Sequence, residues 1–305
     1  MLPAALTAHG ILPWLLPGLL PGLLLALLLA AAGIVLAPWL GLRRRPREIS
    51  GAPQTVPASS RTQGQPAGIL WRMAARQALN AESRARALYQ IDLTPVGAMP
   101  DWRAGDVVEI PVPEGVRQYS VASVPAEGVV RLLVRQGGDG AATLTDTLRP
   151  GDGVALRFKS RESFHAPPGD SPLLLIGAGS GLAGLRAHIV TARASGRRCW
   201  LIYGERNPVT DGEACDELYG WQDDGTLAQL DLAFSAVTDG KGRYVQDILV
   251  GRTQDLKDWL SPDGTVLVCG DQGMGEAIDG ALRAHMGEDW VEDALLSGRY
   301  RRDLY

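Results

Sequence analysis

The stretch PLLLIGAGSGLAGLRAHIVTARASGRRCWLIYGER, residues 172–206, decides the fold. A short apolar run reads as a buried strand, GAGSG as a glycine turn, LAGLRAHIVTARASG as a helix, and CWLIYGER as a second strand. The rhythm continues downstream. LDLAFS is the next strand, a helix is expected from Tyr244 to Leu260, TVLVCGD is a further strand, and a helical run covers about Gly275 to Met286. Strands alternating with helices predict a mostly parallel, doubly wound sheet with helices on both faces. Such a sheet takes a ligand at the carboxyl ends of its strands, and a glycine turn at a helix start suits the phosphates of a nucleotide.

Upstream the pattern is different. Between Ile69 and Phe158, short apolar runs alternate with turn signals: ALYQIDL at 87–93, DVVEIPV at 106–112, QYSVASV at 118–124, VVRLLVRQ at 129–136 and GVALRF at 153–158. Closely spaced strands of this kind predict an antiparallel barrel or sandwich. One helical stretch, ATLTDTL at 142–148, interrupts it.

The chain has 305 residues, 46% of them hydrophobic, which suits two domains plus a segment outside the fold. A net charge of -4 and the lack of a basic stripe argue against nucleic acid as a partner. The cysteines Cys199, Cys215 and Cys269 form no disulfide framework or C-x-x-C pair, and His9, His165, His188 and His285 lack metal-ligand spacing. Any redox centre is therefore an organic cofactor.

Ile11 to Leu42 carries no charge and is longer than the roughly 20 apolar residues a bilayer needs, so a single transmembrane helix is expected from about Leu16 to Trp39. The basic flank Arg43, Arg44, Arg45 and Arg47 follows it, and residues 1–10 hold no Lys or Arg. That asymmetry favours an anchor over a cleaved signal peptide and puts the bulk of the chain on the cytoplasmic side of an inner membrane. The expected organisation is an anchor with its flank over 1–47, a flexible Ser/Gly/Pro-rich linker over 48–68, a barrel domain over 69–168 and an α/β domain over 169–305.

Four further strings carry chemistry. Arg117-Gln118-Tyr119-Ser120 offers a cation, a ring and a hydroxyl; Gly140-Ala141-Ala142-Thr143 offers backbone donors at a helix start. Cys269-Gly270-Asp271 ends a strand, and Gly298 to Tyr305 reads GRYRRDLY. Read generically, Gly179-x-Gly181-x-x-Gly184 would recruit Glu205 for a ribose hydroxyl and predict NAD. Together, in this order, the strings resemble the ferredoxin–NADP reductase superfamily, most closely the reductase half of the diflavin reductases. The resemblance covers roughly residues 70–305. It implies a ferredoxin reductase-like architecture: an antiparallel β-barrel FAD domain, then a doubly wound nicotinamide-nucleotide domain, here behind the transmembrane helix.

The resemblance also implies roles. Arg117 would neutralise the FAD pyrophosphate, Tyr119 would stack on the flavin, and Ser120 would hydrogen-bond near its N5. Gly140, Ala141, Ala142 and Thr143 would hold the FAD phosphates. For NADPH, Gly177, Gly179, Ser180 and Gly181 would form the loop, while Arg206, Ser235, Lys241, Arg243, Tyr244 and Gln246 would hold the adenosine end. Gly270 and Asp271 would shape the nicotinamide pocket. Ser120, Cys269 and Asp303 would set up hydride transfer, with Tyr305 covering the flavin until nicotinamide displaces it. Two departures stand out: Gly184 replaces a usual proline, and Ala236 replaces a usual arginine, which keeps NADH open. The FMN domain and connecting insertion of a full diflavin reductase are not read here, since 1–68 is anchor and tether and few residues separate VVEIPV from RQYS. The expected activity is NADPH–hemoprotein reductase-like, with a haem protein, flavodoxin or iron-chelate system as acceptor at the membrane. A ferric-chelate or free-flavin reductase is the alternative enzyme, and an FAD-binding redox-sensing or scaffold subunit the non-enzyme alternative.

Overall fold

In the parallel sheet, β-strands are buried on both sides, and alternate residues of the same strand feed two different cores. The computed structural model describes residues 68–82, 86–113, 115–137, 140–237, 240 and 242–305, all within one compact unit, Arg61–Tyr305. Its first half holds β1 (Ile69–Ala78), β2 (Leu88–Pro95), β3 (Val107–Val112), β4 (Gly115–Ser120), β5 (Val130–Arg135) and β6 (Gly153–Lys159). They form one antiparallel sheet in the order β4-β3-β6-β1-β2-β5.

Period-two burial explains these strands. Trp71 and Met73, Ile91 and Leu93, Val108 and Ile110, Val130, Leu132 and Val134, and Val154 and Leu156 all turn into one core. The sheet curls until its edges meet: Ala122 N–H, just past β4, donates to the Arg131 carbonyl on β5 at 2.8 Å. The expected barrel is thus nearly closed, with no ladder between β4 and β5 at the seam.

The second half holds β7 (Leu173–Ala178), α1 (Leu182–Ser195), β8 (Cys199–Glu205), α2 (Asp216–Asp223), β9 (Gln229–Phe234), α3 (Val245–Gly251), α4 (Thr253–Leu260), β10 (Thr265–Gly270), α5 (Gln272–Met286), α6 (Glu288–Leu296) and β11 (Tyr300–Leu304). The sheet is parallel throughout, in the order β11-β10-β7-β8-β9. Leu173, Leu175, Leu201, Tyr203, Leu267 and Cys269 pack with α1 and α2. Leu174, Ile176, Trp200, Ile202, Val266 and Val268 pack with α3 to α6 on the opposite face. Order reverses at β7, between β8 and β10, which puts the switch point at the glycine turn and the Cys269-Gly270-Asp271 strand end.

Several expectations are corrected. The strand expected over 118–124 ends at Ser120, because β4 starts at Gly115 to pair with β3. The helix expected from Tyr244 to Leu260 is two helices. Gly251 weakens the end of the first, and Arg252, at φ -119°, turns its guanidinium to Asp231 at 2.6 Å and Asp255 at 3.0 Å. The 142–148 helix is a single wide turn over Thr143–Thr147, closed by Leu148 N–H on the Thr143 carbonyl at 3.0 Å and capped by Arg76 on the Leu148 carbonyl at 2.8 Å.

The single-pass inner-membrane placement is also corrected: no helix among the described residues is long and apolar enough to cross a membrane. The longest, α5, has 15 residues and carries Glu276, Asp279 and Arg283. At 1.5 Å per residue it reaches about 22 Å, short of a hydrocarbon core of about 30 Å. The anchor expected at Leu16–Trp39 and its basic flank lie outside the described residues.

Candidate functional site

Two cavities of about 550 Å3 each open on either side of one wall, made by Arg135, Ser180 and Tyr305. The first lies between the antiparallel sheet and β11. Arg117, Tyr119 and Ser120 of β4 line it with Ala141, Asp303 and the arginines Arg86 and Arg161. β4 forms a hairpin with β3, Val112 opposite Gly115, so the turn has no room for an insertion there. Burial raises the Tyr119 phenol above its ordinary value, opposed by the charge of Arg117, and it stays protonated.

Gly140 joins the two expected flavin strings. At φ +78° its backbone is in the left-handed region, and a Cβ would lie 2.8 Å from both Arg117 Cγ and Val112 Cγ2. Ala141 reaches the cavity wall, whereas Ala142 and Thr143 do not line it.

The second cavity sits over the carboxyl ends of the parallel strands. Gly179, Ser180, Arg206, Ser235, Arg243, Tyr244, Gln246 and Asp271 line it, drawn from four separate loops. Lys241 lies outside the described residues. Gly177, Gly181 and Gly270 do not line it and act through packing instead. A Cβ on Gly177 would lie 2.8 Å from Leu185 Cδ1, and one on Gly181 2.1 Å from the Cys269 carbonyl oxygen. The Gly270 carbonyl accepts the Tyr305 N–H at 3.1 Å. Asp271 caps α5 by accepting the Met274 N–H at 2.9 Å.

Three distant strands, β4, β10 and β11, meet beneath the common wall. β11 adds alongside β10, Cys269 opposite Asp303, and carries Asp303 to the end of β4. There Ser120 Oγ–H donates to Asp303 Oδ2 at 3.1 Å, and Cys269 Sγ lies 4.0 Å from the same oxygen. The other oxygen, Oδ1, is held by the Arg161 guanidinium. Asp303 is 4% exposed, and Cys269 is wholly buried beneath the cavity wall. Burial pushes the Cys269 thiol up to about 12, so it sits here as a neutral thiol. Above them Tyr305 is 60% exposed, its hydroxyl 2.8 Å from Ser180 Oγ.

Gly184, at the usual proline position, lies against this cluster: a Cβ there would be 2.7 Å from Cys269 Sγ. Glu205 lines the second cavity, as the generic dinucleotide reading requires, but its carboxylate is already engaged there. Its carboxylate lies 2.7 Å from the Tyr203 hydroxyl and 3.3 Å from Arg135 Nη2. Burial raises its proton affinity, and the Arg135 charge opposes this.

The sequence reading missed Arg86, Arg135 and Arg161. Arg135 crosses from the antiparallel sheet to the glycine turn, where a Cβ on Gly179 would lie 2.5 Å from its Nη2. No local spacing marks Arg135 and Arg161, because each finds its partner across the chain, Glu205 and Asp303 respectively.

No family model matches this sequence. Among curated proteins, it is 28% identical over 174 residues to the sulfite reductase (NADPH) flavoprotein alpha-component of Bacillus subtilis, covering 52% of this chain and 29% of that protein. With the alpha-component of Yersinia enterocolitica it is 29% identical over 235 residues, 68% of this chain and 39% of the relative. With that of Cronobacter sakazakii it is 30% identical over 216 residues, 62% and 36%. The chain is a relative of these flavoproteins. It spans 29% to 39% of their length. The family resemblance read from the ordered strings is thereby borne out, and the cavities place those strings around one junction.

Proposed function

We propose that this chain is an NADPH-dependent flavoprotein reductase, with FAD held by a domain over 69–168, NADPH by a domain over 169–305, and electrons passed to a haem protein or other one-electron acceptor. The observation that carries this reading is the cluster of Ser120, Cys269 and Asp303 beneath the wall shared by two nucleotide-sized cavities. Both cavities fall within the size range of cofactor sites. The turn at Gly179, at φ +54°, admits no side chain, as a Cβ there would strike Arg135, and the Arg135 guanidinium beside it offers a cation for phosphate.

In the first cavity, Arg117, Gly140 and Ala141 would hold the FAD phosphates, and Tyr119 and Ser120 would meet the ring system; Ala142 and Thr143 would support the turn from behind. When bound, FAD supplies a hydride acceptor that can release electrons singly. Asp303 accepts from Ser120 and so orients its hydroxyl at the junction. Cys269, neutral and dry, packs against the loop that would carry nicotinamide. Tyr305 is the movable part of the wall: it is exposed, tethered by Ser180, and must leave for nicotinamide to reach the first cavity.

In the second cavity, Arg206, Ser235, Arg243, Tyr244 and Gln246 would hold the adenosine end and its 2′-phosphate. NADPH is favoured over NADH because Glu205 is committed to Arg135 and Tyr203. It therefore repels a phosphate less than a free carboxylate would.

Anaerobic titration of the full chain with NADPH and with NADH, following the flavin absorbance, tests this. Yellow protein bleached faster by NADPH is expected, with bleaching slowed roughly 100-fold by Asp303→Asn. Protein that neither copurifies nor reconstitutes with FAD sinks the proposal, and faster bleaching by NADH reverses the coenzyme choice. Flavin that binds but never bleaches would leave a binding subunit, and oxidation by ferric chelates alone would favour the alternative enzyme.

A further inference from the structure

A buried carboxylate is costly unless a cation and hydrogen-bond donors satisfy it. Asp303 is 4% exposed, and its two oxygens have separate partners. Oδ2 serves Ser120 at 3.1 Å and Cys269 at 4.0 Å. Oδ1 serves Arg161, the one cation among the described residues that forms an ion pair with it. Arg301, on the same face of β11, is turned away to the carbonyls of Gly298 at 2.7 Å and Glu162 at 2.6 Å.

Arg161 belongs to none of the motif strings. It follows β6 in a turn whose place is set from below: Asp106 Oδ1 accepts the Arg161 N–H at 3.0 Å and lies 2.7 Å from His165 Nε2. Its guanidinium also approaches Gln118 Oε1 at 3.4 Å and forms part of the first cavity's wall. The main chain is thus tied down on one side while the charge is delivered on the other.

We infer that Arg161 is a positioning residue for hydride transfer: by binding one oxygen of Asp303 it keeps the carboxylate ionised and turned, so that the other oxygen orders the Ser120 hydroxyl and the Cys269 thiol. The consequence for catalysis rests on the proposed flavin–nicotinamide reading; the ion pair does not. Without Arg161, Asp303 is left buried beside a hydroxyl and a neutral thiol, and holds a proton at pH values where the paired form is ionised. A protonated Asp303 donates to Ser120, which reverses the direction of that hydrogen bond.

Two measurements on full-chain protein test this with Arg161→Gln and Arg161→Lys. The first is stopped-flow bleaching of bound flavin at saturating NADPH between pH 6 and 9. Wild type should be nearly flat; Arg161→Gln should be slowed roughly 10-fold or more at pH 6 and recover as pH rises, with Arg161→Lys between them and KM little changed. The second is thermal unfolding of flavin-free protein. In Arg161→Gln the folded-state pKa of Asp303 is raised, so its penalty is absent in acid and grows as pH rises through the carboxylate range. The Tm gap to wild type should therefore widen from pH 4 to pH 8, and lose that pH dependence in an Asp303→Asn background.

The two readouts move in opposite directions with pH, which a merely structural loss would not produce. A bleaching rate parallel to wild type at every pH, or a Tm gap independent of pH, overturns the inference. If wild type itself binds no flavin, the proposed function fails, and the melting curves still decide whether Arg161 holds Asp303 ionised.

Discussion

A Cβ added at Gly181 would sit 2.1 Å from the Cys269 carbonyl oxygen, although Gly181 has an ordinary helical φ of -60°. Glycine is required there by space and not by backbone conformation. Gly181→Ala should cost about 2–3 kcal/mol in urea unfolding, an overpacking penalty. Gly280 is the contrast, an exposed α5 residue with nothing within 4 Å of its added Cβ. Gly280→Ala should stabilise by about 0.5–1 kcal/mol in the same assay. At Tyr305 the balance concerns binding. On the proposed function, nicotinamide entry would displace a ring held by Ser180, so Tyr305→Ala should tighten NADPH binding about 2- to 10-fold in calorimetric titration, matching the worth of an aromatic contact.

Elements bring together what residues alone cannot. Arg186 of α1 ties the parallel sheet to the barrel: its guanidinium reaches the Ala122 carbonyl at 2.8 Å and Glu127 at 2.9 Å, and Glu217 of α2 at 2.7 Å. Burial lowers its proton affinity, but the two carboxylates outweigh this and raise it. Arg186→Ala strands a buried carbonyl and two acids, and should cost about 3–5 kcal/mol in urea unfolding. Because the clamp joins the two sheets, the single transition should also broaden or split. The C-terminal string shows the same logic. As sequence, GRYRRDLY carries three arginines and an aspartate with few apolar residues, yet it becomes β11 because β10 has an open parallel edge and Tyr300 finds the core at 2% exposure. The broken helix at Arg252 was hidden because Asp231, which holds it, lies on another strand.

Across the whole molecule, the junction between sheets carries a pH dependence. His188 of α1 packs edge-on against Phe164 with ring centroids 5.6 Å apart, and its Nε2 has no partner. Burial pushes it down to about 3; the His165 charge adds to this and a Phe164 backbone hydrogen bond opposes it. Since the folded pKa is depressed, stability is full above the ordinary value near 6.5 and is lost as pH falls toward 3. The loss should reach about 2 kcal/mol by pH 5, and His188→Leu should flatten that slope in urea unfolding at pH 5 and 7.

The sequence by itself determined the order of the two sheets, most of their strands, the glycine turn and the strings around both cavities. Each of these depends on neighbours within a few residues: alternation for half-buried strands, continuous apolar runs for strands covered on both faces, glycine where backbone must come close. Only the tertiary structure decided which of those residues meet. The resemblance implied that Ser120 and Asp303 meet, but Arg161 and Asp303, 142 positions apart, and Arg135 and Glu205, 70 apart, were implied by nothing in the sequence. No period or motif encodes such pairs, because an ion pair needs proximity in space and leaves no repeat along the chain. That is why Arg135 and Arg161 emerged only once β11 had been laid beside β10 and the barrel closed against it.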